Sequence, residues 1–131
     1  MNMSAYLAKA LLEAVFRNQP YTSPETVYLA LYTSNPTEND TGQEVTGGAY
    51  TRKPITFTAP ATENGKQTIK NATDIEFDVA TSDWGTVTHV GIRDAETGGN
   101  LLYFGELESP RTILEGDRFV ILAENAILRL S

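Results

Sequence analysis

Residues 82 to 105 constrain the fold more than any other stretch, because they read as two strands joined by a polar turn. Thr88, Val90 and Ile92 fall on one side of the first strand, and Val87, His89, Gly91 and Arg93 on the other. Asp94 to Asn100 supplies glycines and short polar side chains that tolerate a chain reversal. Leu101 to Phe104 then resumes an apolar, aromatic run suited to a pleated surface. Trp84, the one tryptophan, precedes Gly85, which suggests a ring laid over close-packed backbone. This hairpin is expected at the centre of the sheet.

Strand signals recur on both sides of it. Val27, Leu29 and Leu31 share one face of a strand whose other face carries Tyr28, Ala30 and Tyr32. Apolar residues on both faces predict a central strand covered on both sides. Tyr50 to Thr58 reads as a strand with Ile55 and Phe57 as core candidates, and Pro54 makes it an edge or a bulge. Asn64-Gly65 is a tight-turn signal leading into Lys66 to Lys70. Ile75, Phe77 and Val79 alternate with acids. Pro110 is expected to break the chain after the hairpin, ahead of strands at Arg118 to Ala123 and Ala126 to Leu130. About seven to nine short strands punctuated by turns predict an antiparallel β-sandwich or barrel-like domain.

The chain opens differently. Leu7, Leu11, Leu12, Val15 and Phe16 recur at helical spacing, and Ser4 is a suitable N-cap for a helix over residues 5 to 17. Asn18-Gln19-Pro20 ends it. Such a stripe packs either on the sheet or on a neighbouring subunit. A second unusual stretch, Ser34 to Ala49, is a long polar loop carrying Glu38, Asp40 and Glu44. Loops of that length in a compact domain are commonly functional or mobile.

The inventory argues against most chemistry. With 131 residues and 40% hydrophobic composition, the chain is expected to form a single domain, residues 1–131. It has no cysteine, hence no thiolate metal site or cysteine nucleophile. A net charge of −7 is wrong for coating nucleic acid. No run reaches bilayer-spanning length, and Lys9 and Glu13 interrupt the opening apolar stretch, unlike a secretory leader. His89 is the sole histidine and lies on a strand; no Gly-x-Ser-x-Gly elbow and no phosphate-cradling glycine loop is present. Two clusters, Asp94 with Glu96 and Asn100, and Glu38 with Asp40 and Glu44, offer oxygens but do not follow the twelve-residue calcium pattern. No acidic pair stands out for glycoside hydrolysis. The expected protein has no cofactor and no catalysis. Tyr28, Tyr32, Tyr50, Tyr103 and Trp84 form a sugar-stacking surface if exposed, but their apolar settings favour the core.

Tyr28-Leu29-Ala30-Leu31-Tyr32-Thr33-Ser34-Asn35-Pro36-Thr37, Gly42-Gln43-Glu44-Val45 and Gly47-Gly48-Ala49-Tyr50-Thr51-Arg52 resemble a family of small tailed-bacteriophage virion proteins. Trp84 to Ile92 and Gly98-Gly99-Asn100-Leu101-Leu102 are similar to the same family, whose members are commonly labelled tail-fibre-like. The resemblance implies a non-enzymatic β-rich particle component in the tail, the head–tail region or the capsid decoration. It implies partners that are other copies of itself and other virion proteins. The helix stripe and the polar loop supply the candidate contacts, Leu7, Leu11, Val15, Glu38, Asp40 and Glu44. The alternative expectation is a module that recognises host-surface carbohydrate.

Overall fold

The computed structural model describes residues 1–130. A two-residue strand β1 (Asn2–Met3) leads into helix α1 (Ala5–Phe16). Strands β2 (Val27–Tyr32), β3 (Lys53–Ile55), β4 (Ala61–Glu63), β5 (Lys66–Lys70), β6 (Ile75–Glu76), β7 (Gly85–Arg93), β8 (Leu101–Ile113), β9 (Val120–Ile121) and β10 (Ile127–Leu130) follow. The protein is thus mainly β with one N-terminal helix, and its strand pairing is antiparallel.

The hairpin β7–β8 lies inside a five-stranded sheet of order β1-β8-β7-β2-β3. Strand β2 pairs along β7 from Tyr28↔Arg93 to Tyr32↔His89, and its last four residues are buried. Leu29 and Leu31 enter the main core, while Ala30 and Tyr32 join Leu101 and Phe104 in a smaller cluster, so both faces of β2 are covered. Gly91 leaves the space that this second cluster needs, since a Cβ there would stand 2.8 Å from the Tyr32 ring and from Leu101. Strand β3 is the sheet edge, as Pro54 requires.

Two smaller sheets, β10-β5-β4 and β6-β9, contribute to the same core. Ile75, Phe77, Phe119, Ala126 and Leu128 pack with Val87, Val90 and Ile92 of the large sheet. Trp84 stands at the centre of an aromatic group, edge-on to Tyr50 at 5.5 Å and to Phe77 at 6.4 Å. Its indole N–H donates to the Gly48 carbonyl at 2.8 Å. The backbone beneath the ring is therefore Gly48, not the adjacent Gly85.

Several expected elements differ. Pro110 does not break the chain: it sits within β8, where residues 107–110 bulge between the pairs Val87↔Arg111 and His89↔Glu106. A bulged residue owes no ladder hydrogen bond, so proline fits. The strands expected over Tyr50 to Thr58, around Ile75 to Val79 and over Arg118 to Ala123 shrink to two or three residues each. Their buried side chains keep their places while the intervening backbone turns away. Strands β1 and β4 carry no alternating pattern long enough to announce them.

Candidate functional site

Two features carry the candidate residues, and they meet at the first turn of the helix. The first is the loop from Ser34 to Ala49. Where β3 stops pairing at Leu29, this loop takes over the free edge of β2. Thr33 donates its backbone N–H to Gln43 O at 2.9 Å, and Val45 donates to Leu31 O at 3.0 Å. The loop is thereby fastened to β2 from Gln43 to Val45, with Val45 in the core.

Two of its three acids, Asp40 and Glu44, are held by two buried arginines. Arg52 donates through Nε and Nη2 to the two Glu44 oxygens at 2.9 and 2.8 Å, and through Nη1 to the Ala95 and Gly98 carbonyls at 2.8 Å each. Arg93, at the end of β7, grips both Asp40 oxygens at 2.7 and 2.9 Å and donates to the Tyr32 hydroxyl at 2.9 Å. Its Nε also reaches the Gly98 carbonyl, so both guanidinium groups close on the same turn. The Tyr50 hydroxyl donates to Glu44 and accepts from the Leu31 N–H. Forked pairs of this kind fix direction as well as charge.

The electrostatics follow from the geometry. Burial by itself raises the Glu44 carboxyl, but hydrogen bonds from Arg52 and Tyr50 and the charges of Arg52 and Arg93 outweigh it, leaving the pKa below the ordinary 4.5. Arg52 is raised chiefly by its hydrogen bond to Glu44. Burial and then the Glu44 hydrogen bond push Tyr50 far above the ordinary tyrosine range. These groups stay in fixed charge states, which suits a clasp and not a proton-transfer site. Among the described residues, no three His, Cys, Asp or Glu side chains converge on a common point. Asp40 and Glu44 each face a cation of their own chain.

The second feature is α1. Ser4, itself buried, caps the helix by accepting the Leu7 N–H at 3.1 Å, and Asn18 at φ 54° ends it in the left-handed region. Ser4 N–H donates to Leu102 O and Ala5 N–H to Glu38 O, both at 2.8 Å, so the first turn is tied to β8 and to the loop together. At about 100° per residue, Ala14, Leu7 and Leu11 occupy one arc of the helix. All three are half-buried, and Leu7 packs on the core. The apolar surface continues around the helix through Val15, Ala8, Leu12, Ala5 and Phe16. There it meets solvent: Leu12 is 59% exposed, Val15 67% and Phe16 78%. Tyr21, beyond the helix, is half-buried, and burial first, then the charges of Tyr6 and Asp94, raise its pKa.

Of the expected contact residues, Leu7 and Leu11 are thus turned toward the body, Val15 and Glu38 face solvent, and Asp40 and Glu44 serve the clasp. Neither Arg52 nor Arg93 stood among the residues expected from sequence. Arg93 had a signal, a charge ending an apolar strand run, but nothing in the pattern named its partner. Trp84, Tyr32 and Tyr103 are buried at 5, 1 and 6% exposure, out of reach of a sugar ring.

A family model described as podophage GP4 fiber I protein gp80 matches residues 2–129. No curated protein matches the chain. The match agrees with the virion-protein resemblance carried by the turn and strand motifs. It spans nearly every residue, and the chain therefore belongs to the podophage GP4 fiber I protein gp80 family, a family of phage fibre proteins.

Proposed function

We propose that this protein is a non-enzymatic structural subunit of a podophage fibre, folding as one domain and assembling with further copies of itself and with other virion proteins. The β-body is the rigid part, and α1 is its docking element. The observation that carries the reading is the open apolar face of α1. Leu12, Val15 and Phe16 stay more than half exposed on a helix whose root is firmly attached. Contiguous exposed apolar patches of this kind mark protein contacts. A twelve-residue helix is marginal in water without packing, so a partner on the outer face stabilises the arm as well as the assembly. The Arg52–Glu44 and Arg93–Asp40 pairs support the reading by holding the neighbouring loop in one shape for an interface. Assembly takes place where the chain is made, in the host cytoplasm, and the product resides in the virion.

The test is the solution mass of the purified protein by sedimentation, for the parent and for the double variant Leu12→Asp/Phe16→Asp. The parent is expected to be a defined oligomer, and the variant a monomer with an unchanged far-ultraviolet spectrum. A parent that stays monomeric, alone and with the other fibre proteins of its phage, overturns the proposal.

A further inference from the structure

The assembly reading leaves the receiver of the helix unnamed, and any receiver assigned to the helix depends on that reading. The same chain carries a cleft of about 670 Å³ between the β8 bulge and the segment from Phe119 to Ile127. Its apolar wall includes Leu107, Ile121, Leu122 and Ile127, and Glu108 and Arg111 stand on its rim. Leu122 is 57% exposed, an unusual amount for a leucine beside a core. The outer edge of β10 has no strand partner, because β10 ends its sheet. Clefts of about 300–1,000 Å³ enclose a drug-sized group, room for an aromatic ring and two aliphatic side chains. None of the lining residues belongs to α1, and the outer face of α1 is open, so the two surfaces do not close on each other within one chain.

Charge singles out the partner. Residues 1–24 contain two cations, Lys9 and Arg17, against the single acid Glu13. The remaining chain carries sixteen acids against eight cations. A weakly basic arm is therefore attached to a strongly acidic body, and the body of another copy attracts it. We infer that the outer face of α1, through Leu12, Val15 and Phe16, docks into the 107–127 cleft of a second copy of this chain.

Such a contact joins unlike surfaces, so each subunit gives one arm and receives one. The face of one helix is small beside the roughly 800 Å² per partner of a standard interface. Each subunit makes the contact twice, once as donor and once as receiver. Head-to-tail contacts close into a ring when the rotation allows and otherwise run on as a row. Either outcome suits an elongated appendage.

The experiment uses an arm variant, Phe16→Asp, and a cleft variant, Leu122→Asp, on the full chain. Both side chains are exposed, so the fold is not at risk; Ser109→Trp on the cleft rim serves as a second, bulk-filling cleft variant. Each variant alone is expected to sediment as a monomer where the parent is an oligomer. An equimolar mixture of the two is expected to form a one-to-one dimer, because the intact arm of the cleft variant fits the intact cleft of the arm variant. An oligomer that survives both cleft variants refutes the cleft as receiver while leaving self-association standing. Two monomeric variants that fail to pair when mixed refute the head-to-tail geometry. A monomeric parent refutes self-association and this contact with it.

Discussion

Removing the Glu44 carboxylate tests whether the arginine clasp is a structural element. In Glu44→Ala, Arg52 keeps its two carbonyl acceptors but loses both charge-assisted bonds, and the Tyr50 hydroxyl loses its acceptor. The Arg52 side chain is only 7% exposed, so its charge is left in a poorly solvated site, whereas Glu44 at 22% is partly wetted. Breaking a buried pair costs about 3–5 kcal/mol, and the partial exposure of Glu44 puts this case near the low end, about 3 kcal/mol. Unfolding entropy of about 2.1 cal/mol/K per residue over 131 residues converts that into a Tm lower by about 10 °C. Differential scanning calorimetry at neutral pH measures it. Glu38→Ala is the control, an exposed acid making no ion pair, expected within about 0.5 kcal/mol of the parent. The double variant Glu44→Ala/Arg52→Met is expected to recover part of the loss, since no buried charge remains. The pH dependence has a definite sign. The folded pKa of Glu44 lies below 4.5, so the unfolded chain binds the proton more readily. Its stabilisation is present above about 4.5 and lost as pH falls through the folded value, and Glu44→Ala should show a shallower acid dependence. A Glu44→Ala transition no lower than that of Glu38→Ala would refute the reasoning.

Two further substitutions probe the framework. Asn71 is fully buried, donates to the Thr73 and Leu122 carbonyls and accepts from the Ala126 N–H, so Asn71→Asp turns a carboxylate toward two carbonyls. A loss of about 3 kcal/mol, read as a lower urea midpoint, is expected, with the 119–127 wall of the cleft released first. In Gly48→Ala the new Cβ meets the Trp84 indole nitrogen at 2.7 Å from a backbone at φ +59°. A loss of about 2 kcal/mol and a red shift of the single tryptophan's emission are expected; unchanged emission would show that the ring does not lie over this residue.

What could be read from the sequence was what repeats locally. The hairpin around Asp94 to Asn100, the two-sided strand Val27–Tyr32, the Ser4 cap and the Pro54 edge all follow from spacing or from one residue's backbone chemistry. Pro110 misled because its local rule, no donor in a ladder, is suspended inside a bulge whose existence depends on the partner strand. The short strands around Ile75 and Val120 have the right side chains but pair for only two residues, a length set by their distant partners. The same limit hid the clasp. Glu44 and Arg52 are near in sequence, but Asp40 meets Arg93 only after β2 and β7 have paired. The helix posed a different problem, since its apolar arc is too wide for one contact. Packing inward and docking outward look like rivals in the sequence, and the helix has both a half-buried inner arc and an exposed apolar outer one.

The pairing of β1 with β8 has a consequence for the timing of synthesis. Met3, at the foot of α1, lies opposite Tyr103, and Ser4 is held by Leu102. Neither partner exists until most of the chain has left the ribosome. At about 5–20 residues per second, the N-terminal segment waits on the order of ten seconds with no sheet to seat it. The segment that precedes the sheet in the chain is thus among the last to be fastened to it.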